Sequence, residues 1–367
     1  MAKGKYDVFQ VEFEVRLKSI VRFAASITMS SEPNILKVKE PLKLERGEEL
    51  SGLEIGYHTY GKLNKAKDNV VWVFHALTAN SDCLDWWGDL LNEKKFLSPE
   101  KYFIVCANIL GSPYGTTSPL SVNPETKKPY YSDFPLITIR DMVACHKLLQ
   151  KELGIQKITI GIGGSMGGFQ TYEWAVQEPE LFDKLILIGT APKESPWRIA
   201  IHASQRLAIE ADPTWKDESV TAGAHGVATS RAIGMLTYRN HKIFEKTQLD
   251  EEEKVDDFKS DSYVRYQGEK LVKRDFQGYL LWMLTKALDS HDLGRDRGGL
   301  KKALSQIKAD VLQIAIKSDV LFPLDEQRRV STHTPNVTFR AIDSLYGHDG
   351  FLTESKEINS LIKEFLK

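Results

Sequence analysis

The sequence predicts an α/β fold with a mostly parallel central sheet and a helical lid inserted into it. From about residue 40 to 190, short apolar runs alternate with amphipathic helical patterns, which is the rhythm of βαβ units and of a sheet buried on both faces. From about 193 to 303 the apolar β runs stop and helical stretches replace them. After about residue 305 the α/β pattern returns, so that one α/β core is interrupted by an insertion.

Each element follows from its local pattern. Continuous apolar runs, the kind that parallel sheets bury, predict strands over 70–77, 101–110, 157–163, 183–191, 310–318 and 336–343. Apolar residues at helical spacing predict helices over 141–155, 165–179, 195–211, 227–240, 278–290 and from about 350. The highly charged segment 245–261 is expected to be a solvated helix face or a mobile loop.

The domain boundaries follow from these elements. Residues 40–192 and 304–367 are assigned to the α/β core, and 193–303 to the helical lid. An insertion of this kind is expected at the carboxyl ends of the strands, where open α/β sheets bind their ligands. Residues 1–39 are expected to form a loosely ordered N-terminal extension.

Composition argues against several classes of partner. Lys and Arg total 49 and Asp and Glu total 50, so no global field attracts nucleic acid or an anionic membrane, and neither is expected as a partner. The first 28 residues mix acidic and basic side chains, unlike a signal peptide, and a cytoplasmic protein is expected. Three cysteines without CxxC spacing predict buried thiols in a reducing compartment, with no disulfide framework and no metal site.

The segment Gly163–Gly168 carries the sharpest chemical signal. It fits the G-x-S-x-G pattern, with a predicted strand before it and a predicted helix after it. Such a turn lifts a serine hydroxyl into the cleft at the positive end of the helix. Ser165 is therefore the candidate nucleophile. The segment 163–168 is not a P-loop, because no Lys-Ser or Lys-Thr follows its glycines.

A serine nucleophile needs a base and an acid that orients the base. In this architecture the chain order is Ser, acid, His. His348 lies in the loop between the last predicted strand and the last helix, and Asp319 ends the strand before it, so these two are the candidates. Asp343 and Asp325 are rival acids. The other downstream histidines are expected to be surface or packing residues: His202, His225, His241, His291 and His333.

The oxyanion that forms during acyl transfer needs backbone N–H donors. The N–H of Met166, directly after the nucleophile, is one candidate, and that of Leu77, after an early strand, is the other. His75 precedes the nucleophile and lies within a predicted strand. We therefore interpret it as a hydrogen-bonded structural histidine.

With these residues placed, longer strings become informative. They include Thr-Tyr-Gly-Lys-Leu-Asn at 59–64, His-Ala-Leu-Thr at 75–78, Trp-Trp at 86–87, Asn-Ile-Leu-Gly at 108–111, Tyr-Gly-Thr-Thr at 114–117, Asn-Pro at 123–124, Asp-Met-Val at 141–143, Asp-Pro-Thr-Trp at 212–215, Gly-Met-Leu-Thr-Tyr at 234–238 and Gly-His-Asp at 347–349. From about residue 40 to the C-terminus, the chain resembles the homoserine O-acetyltransferases, acyltransferases of methionine biosynthesis with the α/β-hydrolase fold.

The resemblance implies a ping-pong acetyl transfer from acetyl-CoA to the hydroxyl of L-homoserine. Ser165 would carry the acyl group, with His348 as base and acid and Asp319 behind it. The resemblance places Arg231 near the carboxylate of the amino acid and Asp349 near its ammonium group, a sensible pairing for a zwitterion. It implies no bound prosthetic group, with acyl-CoA as co-substrate, and a homodimer.

Two departures from the family pattern leave alternatives open. Ala79 follows His-Ala-Leu-Thr where the family usually has Gly, and a tunnel-lining stretch usually written Arg-Phe-Asp reads Arg274-Asp275-Phe276 here. The alternatives are a serine or homoserine O-succinyltransferase, a serine O-acetyltransferase, or an esterase of the same fold in which water is the acceptor.

Overall fold

The computed structural model describes residues 32–92 and 95–367. The strands are β1 (Asn34–Lys37), β2 (Leu42–Lys43), β3 (Glu49–Leu50), β4 (Glu54–Tyr60), β5 (Val70–Phe74), β6 (Phe103–Ala107), β7 (Ile158–Gly164), β8 (Phe182–Ile188), β9 (Asp310–Ile316) and β10 (Val337–Ile342). The α-helices are α1 (Cys83–Leu91), α2 (Ile139–Glu152), α3 (Met166–Gln177), α4 (Pro196–Glu210), α5 (Ala224–Tyr238), α6 (His241–Gln248), α7 (Lys259–Val272), α8 (Gly278–Asp289), α9 (Leu300–Leu304), α10 (Leu324–Arg328), α11 (Gly350–Thr353) and α12 (Ser355–Phe365).

Eight of the described strands form one sheet, in the order β1-β4-β6-β5-β7-β8-β9-β10. β4 runs antiparallel to both of its neighbours, and the pairs from β6 to β10 are parallel. Apolar side chains bury both faces of the sheet, and the two faces belong to separate core clusters. The sheet confirms the predicted fold class, since continuous apolar runs are what two-sided burial requires.

The predicted strands are present, but several end earlier than the apolar runs do. β5 ends at Phe74, so that the last residues of the predicted 70–77 strand form a turn beyond the sheet. β9 ends at Ile316, before the predicted limit at 318. The residues after β5 turn toward Ser165, and the residues after β9 lead to Asp319. A strand that continued in the sheet could not place them there.

Two strands at one side of the sheet, the edge strand β1 and its neighbour β4, are absent from the sequence-based expectations. β1 has mostly exposed side chains, so it lacks the apolar run that betrays a buried strand. The prediction of a loosely ordered extension up to residue 39 is wrong for this strand, which pairs with β4 through Asn34 opposite Tyr57. The remainder of that extension, residues 1–31, lies outside the described residues.

The helices α4 to α8 and the short α9 occupy the chain between β8 and β9, and α4 to α8 lie in the segment assigned to the lid. α5 packs against both α4 and α7, and α4 packs against α8. The indole N–H of Trp197 on α4 donates to the carbonyl of Val320 in the core, at 2.8 Å. The charged segment 245–261 contains the end of α6, an exposed connection and the start of α7. These helices therefore stand over the end of the sheet where β7 and β9 deliver their functional residues.

The structure also describes the cysteines and the lengths of the helices. Cys83, Cys106 and Cys145 are all buried and unbridged, as expected. Within the two described ranges, we find no helix with the length and apolar character needed to cross a bilayer.

Candidate active site

The turn between β7 and α3 presents Ser165 with a strained backbone. Its φ of 55° and ψ of −126° lie in a region of backbone conformation that residues other than glycine rarely adopt. The glycines of the motif permit this turn to pack closely. A Cβ on Gly167 would lie 2.0 Å from the carbonyl oxygen of Phe74, and one on Gly163 would lie 2.4 Å from the carbonyl carbon of Gly167. A larger residue at 167 would push the turn away from β5, and one at 163 would push the first turn of α3 away from β7.

The structure brings the three expected side chains into one hydrogen-bonded chain. Nε2 of His348 lies 2.9 Å from Oγ of Ser165, and Nδ1 of His348 lies 2.7 Å from Oδ2 of Asp319. Because a carboxylate only accepts, Nδ1 carries the proton and Nε2 is free to accept the serine proton. His348 comes from the loop after β10, and Asp319 from the loop after β9. Parallel strands thus deliver all three residues to one edge of the sheet.

The carboxylate of Asp319 is held from its other side as well. Oδ1 accepts the backbone N–H groups of Leu321 at 2.9 Å and Phe322 at 2.8 Å. The ring of Phe322 stacks on the imidazole of His348, with centroids 5.0 Å apart and planes 18° apart. Asp319 and His348 are both buried. The base is therefore fixed by a hydrogen bond in its plane and by an aromatic ring on its face.

The rival acids lie elsewhere. Asp343 is largely exposed and forms an ion pair with Lys317 at 2.7 Å. Asp325 lies in the first turn of α10, where a carboxylate suits the helix dipole. Neither makes a hydrogen bond to His348 among the described contacts.

The two candidate oxyanion donors border the cavity that contains Ser165. Leu77 and Met166 both line it. The turn that carries Leu77 is closed by a hydrogen bond from the N–H of Ala79 to the carbonyl of Ala76, at 3.0 Å. Met166 begins α3, so that its N–H adds to the positive end of the helix. The arrangement places donors and nucleophile in one cavity, as an oxyanion site requires.

His75 is a hydrogen-bonded structural histidine, as predicted from its place near the end of a strand. Nδ1–H donates to the carbonyl of Ala76 at 2.9 Å, and Nε2 accepts the N–H of Ile109 at 3.0 Å. Complete burial lowers the pKa of His75 to about 4, so the ring is neutral near pH 7. It anchors the end of β5 to the chain after β6.

Arg231 and Asp349 line the same cavity as Ser165, which encloses about 610 Å3 including its open mouth. The guanidinium of Arg231 lies 5.1 Å from the ring centroid of Tyr238. Asp349 is already paired, since its Oδ2 accepts Nε–H of Arg239 at 2.7 Å. The two charges that the resemblance assigns to an amino-acid substrate are thus present, and Arg239 orients one of them.

Further ionisable residues of the cavity wall were not predicted as site residues. Glu194, Arg198 and His202 line it, and Arg239 lies behind Asp349. Glu194 accepts a short hydrogen bond from Nε–H of Arg198, whose Nη1 donates to Glu326 at 2.5 Å. Burial raises the pKa of Glu194, although the charge of Arg198 works in the opposite direction. The spacing of Glu194 and Arg198, one helical turn apart, was the available signal, but it is common on solvated helices.

No cluster of three or more His, Cys, Asp or Glu side chains suited to a metal ion occurs in residues 32–92 or 95–367. The described residues of this cavity supply a nucleophile, a base and an acid. A serine, an imidazole and a buried carboxylate in this order can take an acyl group from an ester or thioester and pass it on.

Comparison with known proteins agrees with this geometry. A family model described as the alpha/beta hydrolase fold matches residues 69–355. The homoserine O-acetyltransferase of Cyclobacterium marinum is 48% identical over 339 residues, which cover 92% of this chain and 96% of that protein.

Solved structures extend the fold comparison. The homoserine O-acetyltransferase of Bacillus anthracis superposes with a TM-score of 0.83 at 23% identity, over 90% of this chain and 97% of that one. Esterase E22 superposes with a TM-score of 0.83 at 23% identity, over 92% of this chain and 100% of that one. At this identity the two structures show the shared fold alone, whereas the sequence relative is close along nearly its full length. The chain belongs to the homoserine O-acetyltransferase family of α/β hydrolases.

Proposed function

We propose that this enzyme transfers an acetyl group from acetyl-CoA to the hydroxyl of L-homoserine by a ping-pong mechanism, within methionine biosynthesis. One observation carries the proposal: the hydrogen-bonded chain Asp319–His348–Ser165 ends in a cavity that Arg231 and Asp349 also line. A nucleophile, a cation and an anion in one cavity suit an amino-acid alcohol as acyl acceptor.

In the first half-reaction, Oγ of Ser165 attacks the thioester carbonyl while Nε2 of His348 takes the hydroxyl proton. The tetrahedral intermediate expels the CoA sulfur, which receives this proton from His348 and leaves as the free thiol. Ser165 then carries the acetyl ester. The carboxylate of Asp319 stabilises the imidazolium that forms in each step.

In the second half-reaction, the homoserine hydroxyl attacks the acetyl ester and gives its proton to Nε2 of His348. Collapse of the second intermediate returns that proton to Oγ of Ser165 and releases O-acetylhomoserine. Both intermediates carry a negative oxygen, which the N–H groups of Leu77 and Met166 would stabilise. Loss of one such donor typically costs about 100- to 1000-fold in kcat.

The charges of the cavity support an amino acid as acceptor. Arg231 would bind its carboxylate, and Asp349 would bind its ammonium group. Arg239 holds Oδ2 of Asp349, which leaves the second carboxylate oxygen to the substrate. Two fixed charges of opposite sign recognise a zwitterion and position its hydroxyl relative to Ser165.

The same charges favour acetyl over succinyl as the acyl group. A succinyl group adds a carboxylate that needs a cation of its own. The arginines that line the cavity are Arg198 and Arg231. Arg198 already pairs with two carboxylates, Glu194 and Glu326, and Arg231 is assigned to the acceptor. The cavity wall therefore provides no spare guanidinium for a second acidic group.

The decisive test is a matrix of acyl-CoA and acceptor, read by release of free CoA thiol. We expect rapid release with acetyl-CoA and homoserine, and slow release with succinyl-CoA or with serine. An acyl-enzyme formed from p-nitrophenyl acetate should transfer to homoserine faster than to water. Equal decay with and without homoserine would favour an esterase, and preference for serine or succinyl-CoA would favour the corresponding alternative transferase.

Two further properties belong to this proposal. No bound cofactor is invoked, and the enzyme would act in the cytoplasm, where acyl-CoA and amino acids are found together. It would form a homodimer through the lid, whose surface exposes Leu207, Val220 and Leu236, since exposed apolar side chains commonly mark interfaces. Sedimentation equilibrium would test the dimer, and a monomer at micromolar concentration would contradict it.

A further inference from the structure

Arg274 connects the lid to the turn that carries a candidate oxyanion donor. It follows α7, within the segment 193–303, and its Nη2 donates to the backbone carbonyl of Thr78 at 2.6 Å. Thr78 is the residue after Leu77. These two residues form the centre of the tight turn that the hydrogen bond from Ala79 to Ala76 closes. We call residues 76–79 the oxyanion turn.

The core holds the oxyanion turn from one side, through His75. The ring of His75 binds Ala76 and Ile109, and the amide of Gln170 on α3 donates to the carbonyl of His75 at 3.4 Å. These contacts fix the entrance of the turn. The far half, from Thr78 onward, is held from the lid by Arg274, so the turn is clamped between the core and the lid.

The clamp is electrostatically unfavourable for the folded protein. In the described residues, Arg274 has no carboxylate within ion-pair distance, and its buried Nε has no hydrogen-bond partner. Burial and the charge of Arg231 lower the pKa of Arg274. Burial and the charges of Arg274 and Arg231 lower the pKa of Lys270. Tyr114, whose hydroxyl lies 3.4 Å from Nη2, offsets this only through a neutral group. A guanidinium kept at such a cost is typical of a functional position.

We propose that Arg274 is a positioning residue that holds the oxyanion turn so that the N–H of Leu77 faces the acyl oxygen on Ser165. The proposal rests on the proposed function, because it assumes that Ser165 is acylated. It adds that the oxyanion site is complete only when the lid is seated on the core. Arg274 itself touches no reacting atom, and it acts through the Thr78 carbonyl.

The test uses Arg274→Met, which removes the donors, and Arg274→Lys, which keeps the charge. Lys270→Met is the matched control, since it removes a neighbouring charge without touching the oxyanion turn. The measurements are the rate of Ser165 acetylation by acetyl-CoA and by p-nitrophenyl acetate, the affinity of a small alkylboronic acid that forms a tetrahedral adduct on Ser165, and the melting temperature.

We expect Arg274→Met to slow acetylation by both donors by a similar factor, about 10- to 100-fold, within the range for oxyanion donors. The boronic acid should lose a comparable factor in affinity, while the KM for homoserine stays unchanged. The melting temperature should not fall, because an unpaired cation is removed. Arg274→Lys should be intermediate, and Lys270→Met should acetylate at the wild-type rate.

Several outcomes would overturn the proposal. They are unchanged acetylation in Arg274→Met, a loss confined to the KM for homoserine, a loss with one donor only, or unfolding of both Arg274 variants. Wild-type enzyme that is never acetylated at Ser165 would overturn this proposal together with the proposed function. Wild-type enzyme that is acetylated but does not transfer to homoserine would overturn the proposed function alone, since the acetylation measurements still decide the role of Arg274.

Discussion

Asp319 directs one carboxylate oxygen to Nδ1 of His348, at 2.7 Å, and the other to two backbone N–H groups. This pairing permits only one neutral tautomer of the ring, with the proton on Nδ1. The buried position of both groups removes water that could otherwise exchange with either partner. Asp319 therefore fixes Nε2 as the nitrogen that faces Ser165, with its lone pair directed at the serine hydroxyl.

Replacing Asp319 with Asn tests this directly. The new amide can donate toward His348 and thereby place the ring proton on Nε2, where it cannot accept from Ser165. We expect kcat to fall by about 10,000-fold, with little change in the KM for homoserine. Steady-state kinetics would measure kcat and KM. The exposed Asp343→Asn is the control, and a loss in Asp319→Asn of less than tenfold would contradict the assigned role.

Ser165→Ala removes the atom that carries the acyl group. We expect no covalent acetyl-enzyme and a loss of several orders of magnitude in kcat, because the other triad members cannot act without the nucleophile. Intact-protein mass spectrometry after mixing with acetyl-CoA would show a one-acetyl mass increase in the wild type and none in the variant. Acetylation of the variant would point to a different nucleophile.

Arg231→Ala separates acceptor binding from acylation. Removing a charged hydrogen-bond donor typically costs about 1.5–3 kcal/mol, so we expect the KM for homoserine to rise by roughly tenfold to a hundredfold. The rate of Ser165 acetylation by p-nitrophenyl acetate should remain at the wild-type value. Stopped-flow acylation and steady-state transfer would be compared on one preparation. An unchanged KM would remove Arg231 from the acceptor site.

Gly167→Ala tests the close packing of the nucleophile turn. The added methyl group would approach the Phe74 carbonyl to 2.0 Å, so we expect a loss of several kcal/mol in the free energy of unfolding. Gly88→Ala in α1 is the matched substitution, because nothing lies within 4 Å of the new methyl. It should stabilise by about 0.5–1 kcal/mol through helix propensity. Urea unfolding would rank the two, and equal stabilities would refute the packing argument.

Three buried histidines predict a loss of stability in mild acid. Burial lowers the pKa of His75 and of His146 to about 4, and that of His291 to about 3. The unfolded chain binds these protons near pH 6.5, and the folded protein does not. Stability is therefore full above pH 6.5 and falls toward pH 4, by about 1.4 kcal/mol per pH unit for each histidine.

Urea unfolding between pH 7.5 and 5.0 would measure this slope. His146→Asn should reduce the slope by the share of one histidine, whatever its effect on absolute stability. A substitution at an exposed position, His333→Gln, is the control. A slope that does not respond to His146→Asn would show that this ring titrates in the folded protein.

The sequence predicted the elements whose signal is local. β5, β7 and β9 are continuous apolar runs, and the turn at Ser165 has its glycines beside it in the chain. Asp319 and His348 could be chosen because strand ends and chain order restrict the candidates. β1 could not be predicted, because a mostly exposed edge strand has no apolar run to reveal it.

Residues that act through distant partners also escaped the sequence reasoning. Arg239 matters because it meets Asp349, more than a hundred positions later, and Arg274 because it meets a backbone carbonyl at Thr78. A backbone carbonyl has no sequence signature, and an arginine just after a helix resembles any solvated one. Only tertiary packing separates these two from the other arginines of the lid.

The parallel pairing of β8 with β9 sets Lys184 opposite Asp310, with the whole lid between them in the chain. During synthesis, the edge of β8 must wait for its neighbour until the ribosome has made every lid helix. We therefore expect nascent chains that stop within the lid to expose an open strand edge and to depend on chaperones, which truncated chains stalled on the ribosome would reveal.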